Sequence, residues 1–376
     1  MALTLSYSLA DQNFYHTKSI GVWNVATQLL PALATRPEVE RLTVFTNPSL
    51  ASLNFPSKAG LTSHAQAGSS RIGRVIWDQW GVYRAAKHSG NRWLILPKGF
   101  ASFVRRCPVR LAAFVHDAMH EHYQQHYQPN PFAREAGYFL RSLRATLRQA
   151  DIIFTNSDFT RSEVLRLART WQLKPPHVLT AGIGFDLPPA GAASLRNGIV
   201  VLAGRWPHKL TPRAVEYLQR WSTGSNHDVP VTWVGALPAG LTLPPLPGWT
   251  QHLRLPAAEY EQILQRAAVV VYFSAYEGFG MPPVEATLRG AAAVYSAIPA
   301  ITESMGDCGF PFANDSFESF ARALNEALAV PPDRMSHWRE RLLARHNWAA
   351  VAERIVTALL PFEKSDTVDR VHAGTA

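Results

Sequence analysis

Cysteine is scarce: the 376 residues hold only Cys107 and Cys308, in separate halves and in no metal-binding or redox spacing. That excludes a cysteine-based metal or redox motif and fits a reducing cytoplasm. Long apolar runs are missing too. The longest, Ala267 to Ala275, has the length of a buried strand and not the ~20 residues of a membrane-crossing helix. Met1 to Ser8 lacks a basic flank and a sustained apolar stretch, so no secretory signal is expected. Internal repeats, low-complexity segments and the G-x-G-x-x-G of dinucleotide-binding dehydrogenases are absent. So are zinc-ligand patterns, aromatic RNA-binding signatures and dense basic runs, and nucleic acid is not an expected partner.

What remains is globular composition, 47% hydrophobic and 17% charged, in a chain long enough for two cores. The formal charge is +9 and the pI about 9.7, which suits an anionic partner. An anionic membrane surface and a lipid-diphosphate acceptor explain that charge equally well, and a solvated basic surface explains it without a partner.

Short β-branched runs alternate with longer amphipathic stretches, the signature of parallel α/β layers. Expected strands are Leu42 to Thr46, Trp93 to Leu96, Arg110 to His116 and Ile152 to Asn156 in the first half. Gly198 to Ala203, Val231 to Val234, Val269 to Phe273 and Ala292 to Ser296 follow in the second. Tyr138 to Arg148 reads as a helix, and Thr160 with Glu163 as a capping box after the fourth strand. A Pro-, Gly- and Ala-rich stretch at residues 185 to 197 marks a boundary. It divides the chain into domains 1–188 and 189–348, with a final helix and polar tail at 349–376.

The densest signal is Ser274 to Ala286, SAYEGFGMPPVEA. A buried strand runs into a glycine-bearing loop, and paired prolines start a helix. In open α/β sheets ligands bind beyond the carboxyl ends of strands, where this loop falls. Gly278 and Gly280 let backbone approach a ligand, and N–H groups at the helix start can face oxygens. Glu277 falls in the loop and Glu285 in the first helical turn, so both carboxylates border one site. Arg205 and Lys209 follow another strand and can neutralise a diphosphate, Arg205 bidentately and Lys209 as a point charge.

The Glu277 to Ala286 block and the R-x-x-H-K of Arg205 to Lys209 resemble the retaining family-4 glycosyltransferases of the GT-B fold. Gly290 to Ser296, Ile301-Thr302-Glu303, Gly306-Asp307, His116-Asp117 and Thr155-Asn156-Ser157 extend the resemblance over most of the chain. It implies an α/β architecture of two Rossmann-like domains facing each other across a cleft, acceptor-binding first and nucleotide-sugar-binding second, with the C-terminal helix crossing back. It implies that Arg205 and Lys209 bind the donor diphosphate, Glu277 the sugar hydroxyls and Glu285 the ribose. Backbone around Gly278, Phe279, Gly280 and Met281 helps hold sugar and phosphates. His116 faces the sugar, and Gly21, in a short N-terminal loop, lies near the phosphates or acceptor. The sequence departs from the family in having one glycine at that loop, Leu210 after the lysine, and Ala291-Ala292 after Gly290.

The expected activity is retaining transfer of a hexose, mannose favoured, from a nucleotide-diphosphate sugar to a glycan or lipid-linked acceptor. GDP-mannose leads, with UDP-glucose and dTDP-rhamnose open. No Asp-x-Asp occurs, so no metal or other cofactor is expected, the two cations standing in. The location is cytoplasmic or peripheral at the inner face of a membrane. The competing reading is a non-catalytic nucleotide-sugar-binding or scaffold protein. Alanine at Lys209 or Glu277 is expected to abolish transfer while leaving thermal stability nearly unchanged.

Two further patterns stay open. His116, His120, His122 and His126 crowd one segment, read as surface histidines beside the cleft and not as a metal site. Trp77, Trp80 and Tyr83 form a helically spaced stripe. Core packing is its default reading, and a surface for sugar rings or a lipid tail is the other.

Overall fold

The computed structural model describes residues 2–12, 20–174, 176–186, 196–224 and 228–373. The chain divides into two compact units, Met1–Gly184 with His346–Ala376, and Phe185–Arg345. The expected linker falls largely outside the described residues, and the chain rejoins its first unit at His346 instead of 349.

The first unit holds seven parallel strands: β1 (Leu3–Ser8), β2 (Val39–Thr46), β3 (Ala59–Ser63), β4 (Trp93–Leu96), β5 (Arg110–Val115), β6 (Ile152–Thr155) and β7 (His177–Thr180). Their order is β3-β2-β1-β4-β5-β6-β7. The second holds β8 (Ile199–Leu202), β9 (Val231–Val234), β10 (Trp249–His252), β11 (Val269–Tyr272), β12 (Ala292–Ser296) and β13 (Phe310–Phe312). These run β10-β9-β8-β11-β12-β13. Both are Rossmann-like sheets whose order reverses beside the first strand, between β1 and β4 and between β8 and β11. Central strands such as WLIL in β4 and VVVY in β11 are buried at every position, as sheets covered on both faces require.

Helix ends follow local chemistry. The helix Asp158–Thr170 is capped by Ser157, whose Oγ accepts from Thr160 N at 2.9 Å. Glu163 pairs with Arg166 instead, so the expected box with Thr160 is not the cap. The last helix, Trp348–Ala373, packs on the helix Ile20–Ala34 within the first unit. Arg354 donates to Ala181 O (2.8 Å), and Trp93 Nε1 donates to the buried Glu363 carboxylate (2.9 Å).

Candidate functional site

The β8/β11 switch point of the second unit gathers the charged groups. After β8, Gly204 leads into a short 3-10 turn, Pro207–Lys209. A β-carbon on Gly204 would lie 2.7 Å from Lys209 Cγ, so the glycine makes room for the lysine stem. Leu210 closes the turn at φ +48°, a left-handed conformation that asparagine adopts at less cost than leucine.

Lys209 Nζ donates to Glu277 Oε1 at 2.6 Å and also to the Tyr272 hydroxyl. The same oxygen, Oε1, accepts from Tyr272 Oη (2.7 Å) and Ser274 Oγ (2.9 Å). One carboxylate oxygen is thus saturated and its orientation fixed, while Oε2 accepts nothing among the described residues. Lysine brings three donors, and one remains after these two bonds. Burial pushes the Glu277 carboxyl up, but Lys209, His208 and the hydrogen bonds from Lys209 and Tyr272 outweigh it and hold the group below its ordinary range. Glu277 is therefore a pinned, ionised acceptor.

The loop is tied to its neighbours. Ala275 N donates to His208 O (2.7 Å), and Ser274 N to Ser296 Oγ (2.8 Å). Asn314 closes the set: its Nδ2 donates to Ser274 O (2.9 Å) and its Oδ1 accepts from Ser296 Oγ at 2.6 Å. The ends of β8, β11, β12 and β13 thereby form one rigid frame.

Gly280 sits at φ +85°, and a β-carbon there would meet Ile301 Cγ1 at 2.5 Å. Gly280→Ala is expected to cost about 2–4 kcal/mol from the left-handed backbone and the clash together, seen as a lower thermal midpoint. An unchanged melt would show that the loop relaxes freely. The following helix, Met281–Leu288, has no side-chain cap. Pro282 and Pro283 carry no N–H, so Met281 supplies the one donor of the first three positions. The expected row of helix-start donors is reduced to that group. Phe279 is buried against Phe185, and its side chain serves packing.

Glu285 is the fifth residue of this helix, beyond the first turn where it was expected. Burial raises its pKa against the pull of Arg289, whose guanidinium is bonded to Glu261 at 2.8 Å. Its carboxylate has no hydrogen-bond partner among the described residues. Both Glu277 and Glu285 push the buried Tyr272 hydroxyl up, burial being the larger cause, so the two carboxylates border one strand end. Arg205 is exposed on the β8 loop, its guanidinium 4.6 Å from the Trp206 ring.

His116 and Gly21 belong to the first unit. His116 follows β5, stacks on Phe114 (4.9 Å), and its Nε2 donates to Pro97 O at 2.7 Å. Nδ1 is then the acceptor of a neutral ring. Burial drives its pKa down to about 4. Asn156 Nδ2 and Thr160 Oγ1 both donate to His116 O, at 2.9 and 3.2 Å, which gives the Thr155-Asn156-Ser157 junction its role. Gly21 is the second residue of the helix Ile20–Ala34, not of a loop, and residues 13–19 before it lie outside the described ones. The other histidines lie on the helix Met119–His126. Only His126 is exposed, whereas His120 stacks on Phe139 at 4.3 Å. This corrects the surface-histidine reading. Among the described residues no three His, Cys, Asp or Glu side chains are placed to hold a metal ion.

A second cluster at the β1/β4 switch point went unnoticed in the sequence. Lys98 pairs with Asp11 and, at 3.5 Å, with Asp78, which also accepts from Tyr138 Oη at 3.1 Å. Burial raises Asp78 to about 6 despite Lys98, with Asp11 adding to the rise. These groups, with Ser8 and Trp77, line a small recess. Asp11, Asp78 and Lys98 are far apart in the chain, and only the strand order brings them together. Asn314 was missed for the same reason, whereas Tyr272 and Ser274 adjoin Glu277 but lie at the end of an apolar strand that reads as core.

Residues 250–342 match the family model of the glycosyl transferases group 1. Over 229 residues the chain is 25% identical to the O-antigen chain mannosyltransferase B of Escherichia coli, covering 55% of this chain and 58% of that relative. The chain thus spans less than two thirds of that relative's length. The structure is similar to a sucrose-phosphate synthase from Thermosynechococcus elongatus, with TM-score 0.70, 18% identity, and 96% and 100% of the two chains covered. It is also similar to WaaG, a glycosyltransferase involved in lipopolysaccharide biosynthesis, with TM-score 0.63, 14% identity, and 94% and 98% covered. The resemblance to group 1 glycosyltransferases is therefore shared by sequence and structure, and the two parallel sheets are those of the GT-B fold.

Proposed function

We propose that this chain is a retaining glycosyltransferase that moves mannose from GDP-mannose to a glycan or lipid-linked acceptor without a metal ion. The observation that carries the reading is the Lys209–Glu277 pair at the β8/β11 switch point. One oxygen of Glu277 is locked by Lys209, Tyr272 and Ser274, and the other is left to accept from sugar hydroxyls. Glu285, whose carboxylate has no hydrogen-bond partner among the described residues, is suited to the ribose diol. The mannosyl assignment is supported by the name of the Escherichia coli relative. A charge of +9 adds peripheral association with an anionic membrane surface to the same reading.

Transfer breaks the bond from the sugar anomeric carbon to the diphosphate oxygen and forms one to the acceptor oxygen on the same face. The acceptor proton passes to the departing diphosphate. Negative charge grows on the leaving group, and cations already in place stabilise it without reorganisation. Lys209 meets it with its remaining N–H and Arg205 with its exposed fork. Acceptor recognition belongs to the first unit, where Asp11, Asp78 and Lys98 offer hydrogen bonds at the β1/β4 switch point.

The test is thermal denaturation against a panel of nucleotide sugars, followed by product analysis in EDTA. At about 100 times Kd a donor contributes roughly 2.7 kcal/mol, so GDP-mannose is expected to raise the midpoint by about 5–10 °C. Transfer with inverted product, or transfer abolished by EDTA, would refute the corresponding part. Stabilisation without transfer or donor hydrolysis would leave the non-catalytic binding protein as the better reading.

A further inference from the structure

Six of the nine exposed large apolar side chains among the described residues fall on two neighbouring segments of the first unit. Ile72, Val75, Ile76 and Trp80 follow one another at helical spacing along Arg71–Gly81, with Ile72 74% and Ile76 53% exposed. Phe103 and Val104 are exposed on the loop after β4. That loop is fastened to the helix: Ser102 Oγ donates to Gln79 O (3.0 Å) and Phe103 N to Gln79 Oε1 (3.1 Å). The two segments therefore present one surface.

The helix Arg71–Ile76 buries none of its residues, although half of them are isoleucine or valine. A π turn at Trp77–Gly81 then shifts the helical register. Trp77 and Tyr83 are buried, whereas Trp80 is turned out, so the aromatic stripe is split between core and surface. An apolar face that the fold leaves uncovered calls for a partner.

Charge identifies the partner. Residues 69–84 and 101–109 contain five arginines and one carboxylate, Asp78. Arg71, Arg74, Arg105 and Arg106 are exposed, while Asp78 is turned inward onto Lys98 and Tyr138. The carboxylate nearest the rim, Glu135, lies 4.0 Å from Arg71. A second copy docked face to face would set arginine against arginine, which disfavours self-association. Aliphatic side chains and tryptophan in the middle with arginines around them match an anionic lipid interface, where acyl chains take the former and headgroup phosphates the latter.

We propose that Ile72, Val75, Ile76, Trp80, Phe103 and Val104, ringed by these arginines, dock the protein on an anionic lipid bilayer. The docking stands on this surface alone. Its purpose, presenting a lipid-linked acceptor beside the recess that Trp77 and Asp78 line on the same helical stretch, rests on the transferase reading.

The test is sedimentation of the full chain with vesicles of phosphatidylcholine alone or mixed with phosphatidylglycerol. The wild type is expected to sediment with the mixed vesicles and to stay in solution with phosphatidylcholine. Ile72→Ser/Ile76→Ser is expected to weaken binding at least about tenfold. Each arginine near an anionic surface contributes a factor of about five, so Arg105→Gln/Arg106→Gln is expected to weaken it roughly thirtyfold. All replaced side chains are exposed, and circular-dichroism melts matching the wild type confirm folding. Equal binding to both vesicle types, undiminished binding by either variant, or a wild-type dimer that the serine variant dissolves would each overturn the proposal. Hydrolysis of a soluble donor, measured in parallel, reports on the transferase reading separately: its absence leaves vesicle binding untouched.

Discussion

Lys209→Met is expected to slow glycosyl transfer about 10²–10³-fold, the scale on which a single preorganised donor to developing charge acts. It is also expected to destabilise the second unit, contrary to the expectation that such variants melt like the wild type. Lys209 and Glu277 are each mostly buried, with side chains 21% and 15% exposed. Removing the cation leaves a carboxylate in a site whose burial already pushes its pKa up. Breaking a buried pair costs several kcal/mol, and partial exposure brings that to about 2–3 kcal/mol here. Glu277→Gln loses activity comparably and strands the lysine instead. The double variant Lys209→Met/Glu277→Gln should therefore be more stable than the sum of the two losses allows, yet no more active than either single change. Strictly additive midpoints would mean that the two groups do not couple. Near-normal turnover in Lys209→Met would remove the lysine from the donor site.

The central strands were legible in the sequence because parallel strands buried on both faces are near-continuous apolar runs. Val231–Val234, Trp93–Leu96 and Ala292–Ser296 appear where expected. The strands that escaped notice are of another kind. β3 is mostly exposed, β7 is half polar, β10 is polar at three of its four positions, and β13 is three residues long around Pro311. β1, although buried, mixes serines with its leucines and gives no clean period. At the candidate site, Glu277, Glu285, Arg205 and Lys209 were readable because they lie in two short contiguous blocks. Tyr272 ends a strand whose apolar pattern suggests core alone. The Asp11, Asp78 and Lys98 cluster depends on which strands become neighbours, and no local spacing encodes that. The fate of the aromatic stripe was equally hidden, since it turns on a π turn that residue type does not announce.

Acid is the second condition to which the first unit should respond strongly. Burial lowers His116, His120 and His122 to about 4 each, the Glu135 charge partly opposing this at His120. In the unfolded chain these groups bind protons near pH 6.5. Between pH 6.5 and 4 the unfolded state therefore holds more protons, so stability present above pH 6.5 is lost as pH falls. For His116, which is 9% exposed, the loss from pH 7 to pH 5 is roughly 2 kcal/mol, or about 4–8 °C in midpoint. The two more exposed histidines add smaller amounts. Asp78 works in the opposite sense: burial raises it to about 6, so its contribution is lost as pH climbs through that value and recovered on acidification. Three histidines against one carboxylate leave a net fall toward acid. His116→Gln should flatten the pH dependence by about its own share, whatever it does to absolute stability. An unchanged slope between pH 7 and pH 5 would show that the imidazole is protonated within the fold. A charged His116 would keep its hydrogen bond to Pro97, which favours the imidazolium, but would hold that charge in a buried site that burial makes costly.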